Sequence, residues 1–223
     1  MTTALYEPIG QILNQYYGER QWRHGRKGLE ELILTILSQS TTDTNSGRAY
    51  LALRQTYPSW EDVAAASTQE ITQCIRVAGL AHDKATRILA VLHHPEVVSH
   101  QYSIDFLAQL PLPDALAWLT AFNGVGPKTA ACVLLFAYGM PILPVDTHIQ
   151  RVAQRVGLVR GSSPEKAHVV LNEIVPPSDK YAAHMHLIQL GRQICHARNP
   201  DCGACPLQAI CPTTQGVNHA SIT

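Results

Sequence analysis

The chain has 223 residues, of which 46% are hydrophobic. This length and composition indicate one large or two small folded domains and exclude wholesale disorder. Lysine plus arginine number 17, as do aspartate plus glutamate, so the formal net charge is zero and binding of polyanions through bulk charge alone is excluded. The longest uncharged stretch near the middle, 130–145, is broken by glycine and proline and is shorter than the ~20 residues of a membrane span. Because its start also lacks the pattern of a secretory signal, the chain is expected in the cytoplasm, without membrane contact.

Helical periodicity dominates the chain, and no segment alternates with the period of a strand. Ser59 and Ser67 each begin a capping box. Asp83 and Asp146 are predicted N-caps, and the polar stretch 93–102 is predicted to be a loop. An all-α fold follows, with predicted helices over 8–17, 29–37, 45–57, short segments after Ser59 and Ser67, 83–94, 113–122, 127–139, 146–156, a segment from Ser163, and 181–194.

Two glycines, Gly124 and Gly126, bracket a tight turn before Pro127, which suits the first position of a new helix. A helical hairpin of this kind presents backbone N–H groups at a helix N-terminus, where they bind a phosphate without a basic side chain. A neutral protein could thus hold nucleic acid at a few points, with a modest salt dependence. A simple packing joint between two helices is the alternative interpretation, because so short a motif is not specific.

Lys128 lies in the first turn after this hairpin, in a chain with only five lysines. The helix dipole disfavours a protonated amine there, which suits a nucleophile that must be neutral to attack. Asp146, further along the chain, could take that proton and then stabilise cationic charge developing on a sugar. From the spacing alone, a phosphate contact for Lys128 and an N-cap role for Asp146 are the simpler interpretations.

Four of the six cysteines are crowded together in the spacing C-x6-C-x2-C-x5-C. In a reducing compartment, clustered thiols indicate a metal site and not disulfides. Zinc and an iron–sulfur cluster both accept four thiolates, and the spacing leaves both open. Cys74 and Cys132 lie on apolar helical patterns and are expected to be small buried hydrophobes. The candidate ligands are Cys195, Cys202, Cys205 and Cys211.

Three motifs, in this order along the chain, together resemble the endonuclease III family, the iron–sulfur branch of the helix–hairpin–helix DNA glycosylases. They are the run 124–130 around Lys128, the segment 145–149 around Asp146, and the four-cysteine spacing, with 37–43 and 79–85 as further landmarks. The resemblance extends from about residue 28 to residue 212, and the cysteine spacing is its most specific part.

The resemblance implies two all-helical domains with a DNA-binding cleft between them. One is a six-helix barrel, 24–138, that ends in the helix–hairpin–helix. The other joins 1–23 to 139–212 and carries a structural [4Fe–4S] cluster on the four cysteines, which favours iron over zinc, and 213–223 form a tail. The implied partner is double-stranded DNA containing damaged bases or abasic sites, bound by a monomer that is associated with the nucleoid in a bacterial or archaeal cell.

The resemblance also implies a bifunctional DNA glycosylase and AP lyase of base excision repair, acting on oxidised pyrimidines and abasic sites. Such enzymes flip the damaged base out of the duplex. Carried over by matching position, Lys128 attacks C1′ of the sugar and expels the base, and the resulting Schiff base permits β-elimination of the 3′ phosphate. Asp146 activates Lys128 and balances the positive sugar. The adenine-mismatch glycosylases share the cluster but lack a lysine at this position.

The chain departs from the family at two places that concern DNA binding. The glutamine that fills the gap left by the flipped base usually stands one place after Gln39, where this chain has Ser40. The loop 196–201, basic in the family, has one arginine and one aspartate here, so weaker phosphate binding is expected there, with nearby arginines such as Arg155 compensating. The candidate DNA contacts are Gln39, Ser40, Gly124, Val125, Gly126, Thr129, His148, Arg151 and Arg192.

Three rival interpretations stay open at the level of sequence. A monofunctional glycosylase for another lesion would release a base without cutting the strand. A non-catalytic DNA-binding iron–sulfur protein would tolerate Lys128→Ala with only a small change in affinity. A zinc-binding module would be colourless when purified. The pairing of Lys128 with Asp146 favours the lyase over the binding-only interpretation, because a binder needs neither residue at this spacing.

Overall fold

The structure, a computed structural model, describes residues 3–161 and 163–215, and in these ranges it contains helices and no β-strand. The all-α prediction is confirmed. Short 3-10 turns connect several of the α-helices. In chain order the α-helices are α1 (Thr3–Tyr17), α2 (Gly28–Ser38), α3 (Asp43–Thr56), α4 (Trp60–Ala65), α5 (Thr68–Cys74), α6 (Ala81–Leu92), α7 (Pro95–Ser99), α8 (Leu112–Thr120), α9 (Pro127–Tyr138), α10 (Thr147–Arg155), α11 (Pro164–Ile174) and α12 (Lys180–Gln193).

The chain divides into two compact units, one formed by His24–Met140 and the other by the segments on either side of it. The first unit contains α2 to α9, and the second contains α1 together with α10, α11 and α12. The six-helix barrel assigned to 24–138 and the cluster domain assigned to 1–23 with 139–212 stay predictions. Of the predicted tail, 213–223, the part from 216 lies outside the described residues.

Helix α2 is the centre of the unit His24–Met140, because it is apolar around most of its circumference. It packs mainly against α9 and α3. The contact with α9 is close at Gly28, where an added Cβ would lie 1.6 Å from the hydroxyl oxygen of Tyr138. Since α9 begins at the glycine hairpin, its packing on α2 determines where the hairpin lies in this unit. The fully buried residues of α2 are Leu32, Ile33, Ile36 and Leu37.

The second unit has its own hydrophobic core between α1, α10, α11 and α12. Helix α12 comes close to α10 at Gly191, where an added Cβ would lie 3.0 Å from the Cβ of His148. A glycine at this position therefore permits the two helices to approach each other more closely than a larger residue would. Buried members of this core include Ile9, Leu13, Leu171, Leu187 and Leu190.

Helix boundaries that depend on local capping agree with the sequence predictions. The capping boxes at Ser59 and Ser67 are both formed. Pro127 is the first residue of α9, and Ser163 caps α11 by accepting a hydrogen bond from the amide of Lys166. The Asp146 side chain caps α10 by accepting from Ile149 N at 2.8 Å. These motifs join residues only three positions apart, so the local sequence suffices to predict them.

Helix α1 begins at Thr3 and contains Pro8 in its interior, whereas the sequence predicts a start at Pro8. An internal proline removes one helical hydrogen bond and costs roughly 3 kcal/mol. Tyr6, Ile9 and Leu13 are buried in the core of the second unit. Burial of this apolar face offsets the cost, because it needs the turn before Pro8 as well as the turns after it.

Two predictions around α6 and α7 are wrong. Asp83 is not the N-cap of α6, because the helix begins at Ala81 after Leu80, which has the left-handed φ of +47°. The stretch 93–102 is not a continuous loop, because it contains the short helix α7, with a proline in its first turn. The single buried residue Val97 anchors this helix, and one buried residue gives no periodicity that a sequence pattern could show.

None of the helices in the described ranges is long and apolar enough to cross a membrane.

Candidate active site and metal centre

The predicted hairpin lies between α8 and α9. Gly124 has a φ of +80°, in the left-handed region that glycine adopts without strain. Val125 is buried, and its amide donates to Phe122 O at 3.0 Å. Gly126 is the N-cap of α9 and provides no side-chain cap. The first-turn amides of α9 therefore have no capping side chain from this position, an arrangement that suits binding of a phosphate oxygen.

Lys128 is exposed in the first turn of α9, next to the buried Thr129. Glu31 on α2 is buried, and burial raises the pKa of its carboxyl group, while the positive charges of Arg26 and Lys128 act in the opposite direction. Arg26 Nη1 lies 3.5 Å from Glu31 Oε2. The predicted nucleophile therefore interacts electrostatically with an acidic side chain of its own unit, which the sequence analysis did not select.

Gln39 and Ser40, the two candidates for filling the gap in DNA, differ in their surroundings. Gln39 follows α2, and its side-chain amide is hydrogen-bonded to three protein groups, among them Gly124 O at 2.9 Å from Nε2. Ser40 is exposed and has a φ of +53°. A non-glycine residue in the left-handed region is strained, which is common at functional turns. Of the two, Ser40 is the exposed residue.

Asp146 is half-buried at the start of α10, and its Oδ1 holds the capping hydrogen bond to Ile149 N. The capping bond orients the carboxylate, because the side chain must stay close to the first turn of the helix. Asp146 belongs to the second unit, and Lys128 belongs to the first.

The remaining candidate DNA contacts of the second unit lie on α10 and α12. Arg151 donates from Nη2 to Gly191 O at 2.7 Å and from Nε to Cys195 O at 3.0 Å. His148 is half-buried, with its Nδ1 3.2 Å from Arg151 Nη2. Arg192 is exposed in the last turn of α12. Arg151 therefore fastens the end of α12 to α10, and the DNA contacts assigned to these residues stay predictions.

The four clustered cysteines follow α12 in a loop that contains two short 3-10 turns, Cys202–Ala204 and Gln208–Ile210. All four are free thiols. Burial raises the pKa of the Cys205 thiol, and the charges of the other three cysteines raise it further. The four sulfur atoms are thus close enough to interact electrostatically. Arg155 Nη1 donates to Cys195 Sγ at 3.3 Å.

Zinc and a [4Fe–4S] cluster both bind four thiolates, but they place them differently. Within the described ranges, no three His, Cys, Asp or Glu side chains are close enough to bind a single metal ion. A [4Fe–4S] cluster takes one thiolate at each of four iron atoms, so its ligands stand farther apart than the four ligands of one zinc ion. Four free thiols that follow one another in one loop supply the four thiolates that a cluster takes.

The two other cysteines belong to the unit His24–Met140. Cys132 on α9 is 6% exposed, which agrees with the prediction of a small buried hydrophobe. Cys74, the last residue of α5, is only half-buried, and its Sγ lies 3.7 Å from Thr56 Oγ1. The prediction of full burial is wrong for Cys74, because α5 is a short helix and its last turn lies near the surface.

Two residues near α6 have features that the sequence analysis did not predict. Leu80 is 60% exposed although it is apolar, and its φ of +47° is strained. An exposed apolar side chain in a strained turn suits insertion between DNA bases. Lys84 is 1% exposed, and its Nζ donates to Leu37 O and Ala78 O at 2.8 Å each. The sequence shows the glycine before Leu80, but nothing in it indicates which partners Lys84 has.

The family follows from comparison of the chain with known protein families. The model of the HhH-GPD superfamily of base excision DNA repair proteins matches residues 33–177, which is more than half of the chain. The chain belongs to the HhH-GPD superfamily. The iron–sulfur binding domain of endonuclease III matches residues 195–211, the segment from the first to the last of the four clustered cysteines.

Relatives within the HhH-GPD superfamily are similar over most of their length. Endonuclease III of Rickettsia conorii is 38% identical over 185 residues, which cover 81% of this chain and 81% of that protein. Endonuclease III of Rickettsia felis is 36% identical over 182 residues, which cover 81% and 80%. The solved structure of a trapped endonuclease III–DNA covalent intermediate has a TM-score of 0.79 and 28% identity, covering 97% of this chain and 98% of that one.

Membership of the HhH-GPD superfamily confirms several predictions made from the sequence. The protein is an enzyme of base excision DNA repair, of the DNA glycosylase/AP lyase class, and it binds DNA. Its cofactor is a [4Fe–4S] cluster, so the zinc interpretation is wrong, and the binding-only interpretation is set aside. The roles of the individual site residues stay predictions.

Proposed function

We propose that this protein is a bifunctional DNA glycosylase and AP lyase that acts as a monomer on oxidised pyrimidines and abasic sites in duplex DNA. The observation that carries the proposal is Lys128, an exposed lysine in the first turn of α9, directly after the glycine hairpin. The similarity to a structure described as a trapped endonuclease III–DNA covalent intermediate supports it. A covalent intermediate requires a nucleophile on the protein, and a lysine amine can supply one.

Binding begins at the DNA backbone. The uncapped first-turn amides of α9 bind a phosphate oxygen close to the lesion, helped by the helix dipole. The damaged nucleotide leaves the base stack, because C1′ cannot be reached inside the duplex. Leu80 and Ser40 are both exposed and lie in strained turns. Their side chains fill the gap that the flipped nucleotide leaves in the base stack.

The covalent step uses the neutral amine of Lys128. Its Nζ forms a bond to C1′, and the glycosidic bond breaks with its electron pair leaving on the base. Opening of the sugar ring, with a proton taken up on O4′, gives a Schiff base. A proton then leaves C2′ to water, a C2′–C3′ double bond forms, and the C3′–O bond breaks with its electron pair leaving on the 3′ phosphate. The carboxylate predicted for this role is that of Asp146: it takes the proton that Nζ loses when the bond forms and passes it to the departing base. As a carboxylate again, it then balances the positive charge on the sugar. Its capping bond to Ile149 keeps the carboxylate oriented for both tasks.

The cofactor stays outside this reaction. When bound, the [4Fe–4S] cluster provides structural cross-links between Cys195, Cys202, Cys205 and Cys211, which close the loop between them. This loop follows α12, whose last turn carries Arg192. Because the loop itself has one arginine and one aspartate in 196–201, we propose that its contribution to phosphate binding is small.

Borohydride trapping tests the proposal directly. Wild type, Lys128→Ala and Lys128→Arg are incubated with two duplexes, one with an abasic site and one with an oxidised pyrimidine. Lys128→Arg is the matched control, because it keeps the positive charge at the phosphate but cannot form a Schiff base. We expect a covalent adduct with wild type only, and a loss of strand cleavage of at least ~10²-fold in both variants.

Each other outcome assigns a different function. Base release without an adduct in wild type would indicate the monofunctional glycosylase. An adduct with Lys128→Arg would show that another amine is the nucleophile. DNA binding by a protein with an intact cluster, but without base release or adduct, would overturn the proposed activity on these two substrates.

A further inference from the structure

The side chain of Gln39 is enclosed in hydrogen bonds within its own unit. Its Nε2 donates to Gly124 O at 2.9 Å and to Thr129 Oγ1 at 3.4 Å. Its Oε1 accepts from Arg87 Nη1 at 2.6 Å. Both ends of the amide are therefore bonded, one to the hairpin and the start of α9, the other to α6.

Arg87 also lies directly against the hairpin. Gly124 has a φ of +80°, and an added Cβ there would lie 2.3 Å from Arg87 Nε and 2.6 Å from its Cδ. The backbone conformation favours glycine at position 124, and a Cβ there would also displace the Arg87 side chain from the hairpin. The hairpin, α6 and the end of α2 meet at these three residues.

One turn earlier on α6, Lys84 makes a similar connection. Its buried Nζ joins Leu37 O, near the end of α2, to Ala78 O, just before the strained Leu80. Lys84 and Arg87, on neighbouring turns of α6, therefore make hydrogen bonds to three segments. Lys84 bonds to the end of α2 and to the turn before α6, and Arg87 bonds to Gln39, which in turn bonds to the hairpin. Each bond involves a backbone carbonyl or a side chain at the end of a helix, where the backbone lacks helical partners.

We propose that Gln39 and Arg87 are positioning residues that hold the hairpin in its DNA-binding conformation, in place of the direct DNA contact that the sequence predicts for Gln39. The proposal rests on the DNA-binding role of the hairpin in the proposed function. If Gln39 pointed into DNA, it would first have to leave three hydrogen bonds, one of them charge-assisted. Held as it is, it fixes Gly124 O, and with it the direction of the following amides.

A double-mutant cycle on DNA affinity tests this arrangement. Gln39→Met and Arg87→Met keep the bulk of each side chain and remove its hydrogen bonds. The probe is a duplex with a tetrahydrofuran abasic-site analogue, and the readouts are Kd and the single-turnover lyase rate on an abasic duplex. We expect each single variant to raise Kd about fivefold, the size of one or two lost hydrogen bonds. The double variant is expected to raise Kd no more than Gln39→Met alone, because Gln39→Met already removes the bond to Arg87.

A matched control distinguishes the lost connection from the lost charge. Arg76→Met also removes one positive charge from an exposed position of the same unit, but no hydrogen bond to Gln39. Combined with Gln39→Met, its effect on Kd is expected to multiply. The rate at saturating DNA is expected to change by a smaller factor than Kd in the Gln39 and Arg87 variants, because Lys128 itself is unchanged.

The outcomes separate this inference from the proposed function. Multiplied losses in the Gln39→Met/Arg87→Met double variant would overturn the positioning role and favour a direct DNA contact by Gln39. If wild type forms no borohydride adduct but the two losses still coincide, the lyase mechanism fails while the positioning role stands. Should a Met variant fail to fold, the same cycle is measured with Gln39→Ala and Arg87→Ala, where multiplied losses would again overturn the inference.

Discussion

In each unit a long cationic side chain donates hydrogen bonds to backbone carbonyls. The carbonyls belong to helix ends in one unit and to an exposed loop in the other. In His24–Met140, the Lys84 ammonium is buried between two carbonyls that belong to the ends of helical segments. In the second unit, Arg155 donates to Cys195 Sγ and to His196 O and Ala197 O, at the start of a mostly exposed loop.

This difference shows how each unit holds its functional segment. The turns of the first unit are held by hydrogen bonds between protein groups, and among these groups the Lys84 ammonium is buried. The cysteine loop of the second unit has one fully buried anchor, Leu207, and two 3-10 turns in its middle. The cluster proposed on its four thiols would add further cross-links to this loop, so the second unit is expected to depend on the cofactor and the first on buried hydrogen bonds.

The largest effect is expected when a cysteine of the second unit that is proposed to hold the cluster is replaced. Cys202→Ser removes one of the four proposed thiolate ligands, and the protein is expected to lose most of its iron and its visible absorbance. The second unit is then expected to unfold at a lower temperature than in wild type. Iron per protein and thermal unfolding measure these effects.

Cys74→Ser is the matched control for the cluster, because Cys74 belongs to the other unit. Its iron content is expected to equal that of wild type. Full iron in Cys202→Ser, or lost iron in Cys74→Ser, would show that the assigned set of ligands is wrong.

A second test addresses the first unit. Lys84→Met keeps the apolar stem but leaves the carbonyls of Leu37 and Ala78 without their donor. Each unpaired buried carbonyl costs about 1–3 kcal/mol, so the free energy of unfolding is expected to fall by about 2–4 kcal/mol, measured by urea denaturation. Lys166→Met, at an exposed position of α11, is expected to change it by less than ~0.5 kcal/mol. Equal losses in the two variants would mean that the buried bonds do not stabilise the first unit.

The close packing of α2 on α9 gives a third test. In Gly28→Ala the new Cβ would lie 1.6 Å from Tyr138 Oη, so the ring must move and its hydrogen bond to Ile104 O is lost. We expect a loss of about 1–3 kcal/mol in the free energy of unfolding. Gly47→Ala on α3, where a Cβ meets open space, is expected to stabilise by ~0.5–1 kcal/mol. A Gly28→Ala protein as stable as wild type would contradict the close approach.

The smallest effect concerns pH and the second unit. Burial lowers the pKa of His168, and the charge of Lys180 lowers it further. The unfolded chain therefore takes up this proton near the ordinary pKa of 6.5, and the folded chain takes it up only at lower pH. Because the unfolded state then binds more protons, the free energy of unfolding falls as the pH falls through 6.5.

Substitution of His168 by Gln is expected to reduce this pH dependence without abolishing it, because burial also lowers the pKa of His186 in the same unit. Thermal unfolding midpoints at pH 7 and pH 5 measure the difference between wild type and variant. A variant with a steeper loss of stability on acidification than wild type would show that the sign is wrong.

The sequence by itself determined the features that depend on neighbouring residues. The capping boxes at Ser59 and Ser67, the start of α9 at Pro127 and the N-cap Asp146 all join residues within one helical turn. The cysteine spacing is equally local, which is why the order and type of the site motifs could be recognised along the chain.

Only the tertiary structure decided which polar groups meet across the chain. Gln39 bonds to Gly124, 85 positions away, and Lys84 bonds to Leu37, 47 positions away. The left-handed start of α6 at Leu80 and the continuation of α1 through Pro8 likewise oppose local propensity. Both features persist because burial of apolar residues that are distant in sequence outweighs a conformational cost of a few kcal/mol at Leu80 and Pro8. A pattern of neighbouring residues does not show how much apolar surface is buried by distant parts of the chain.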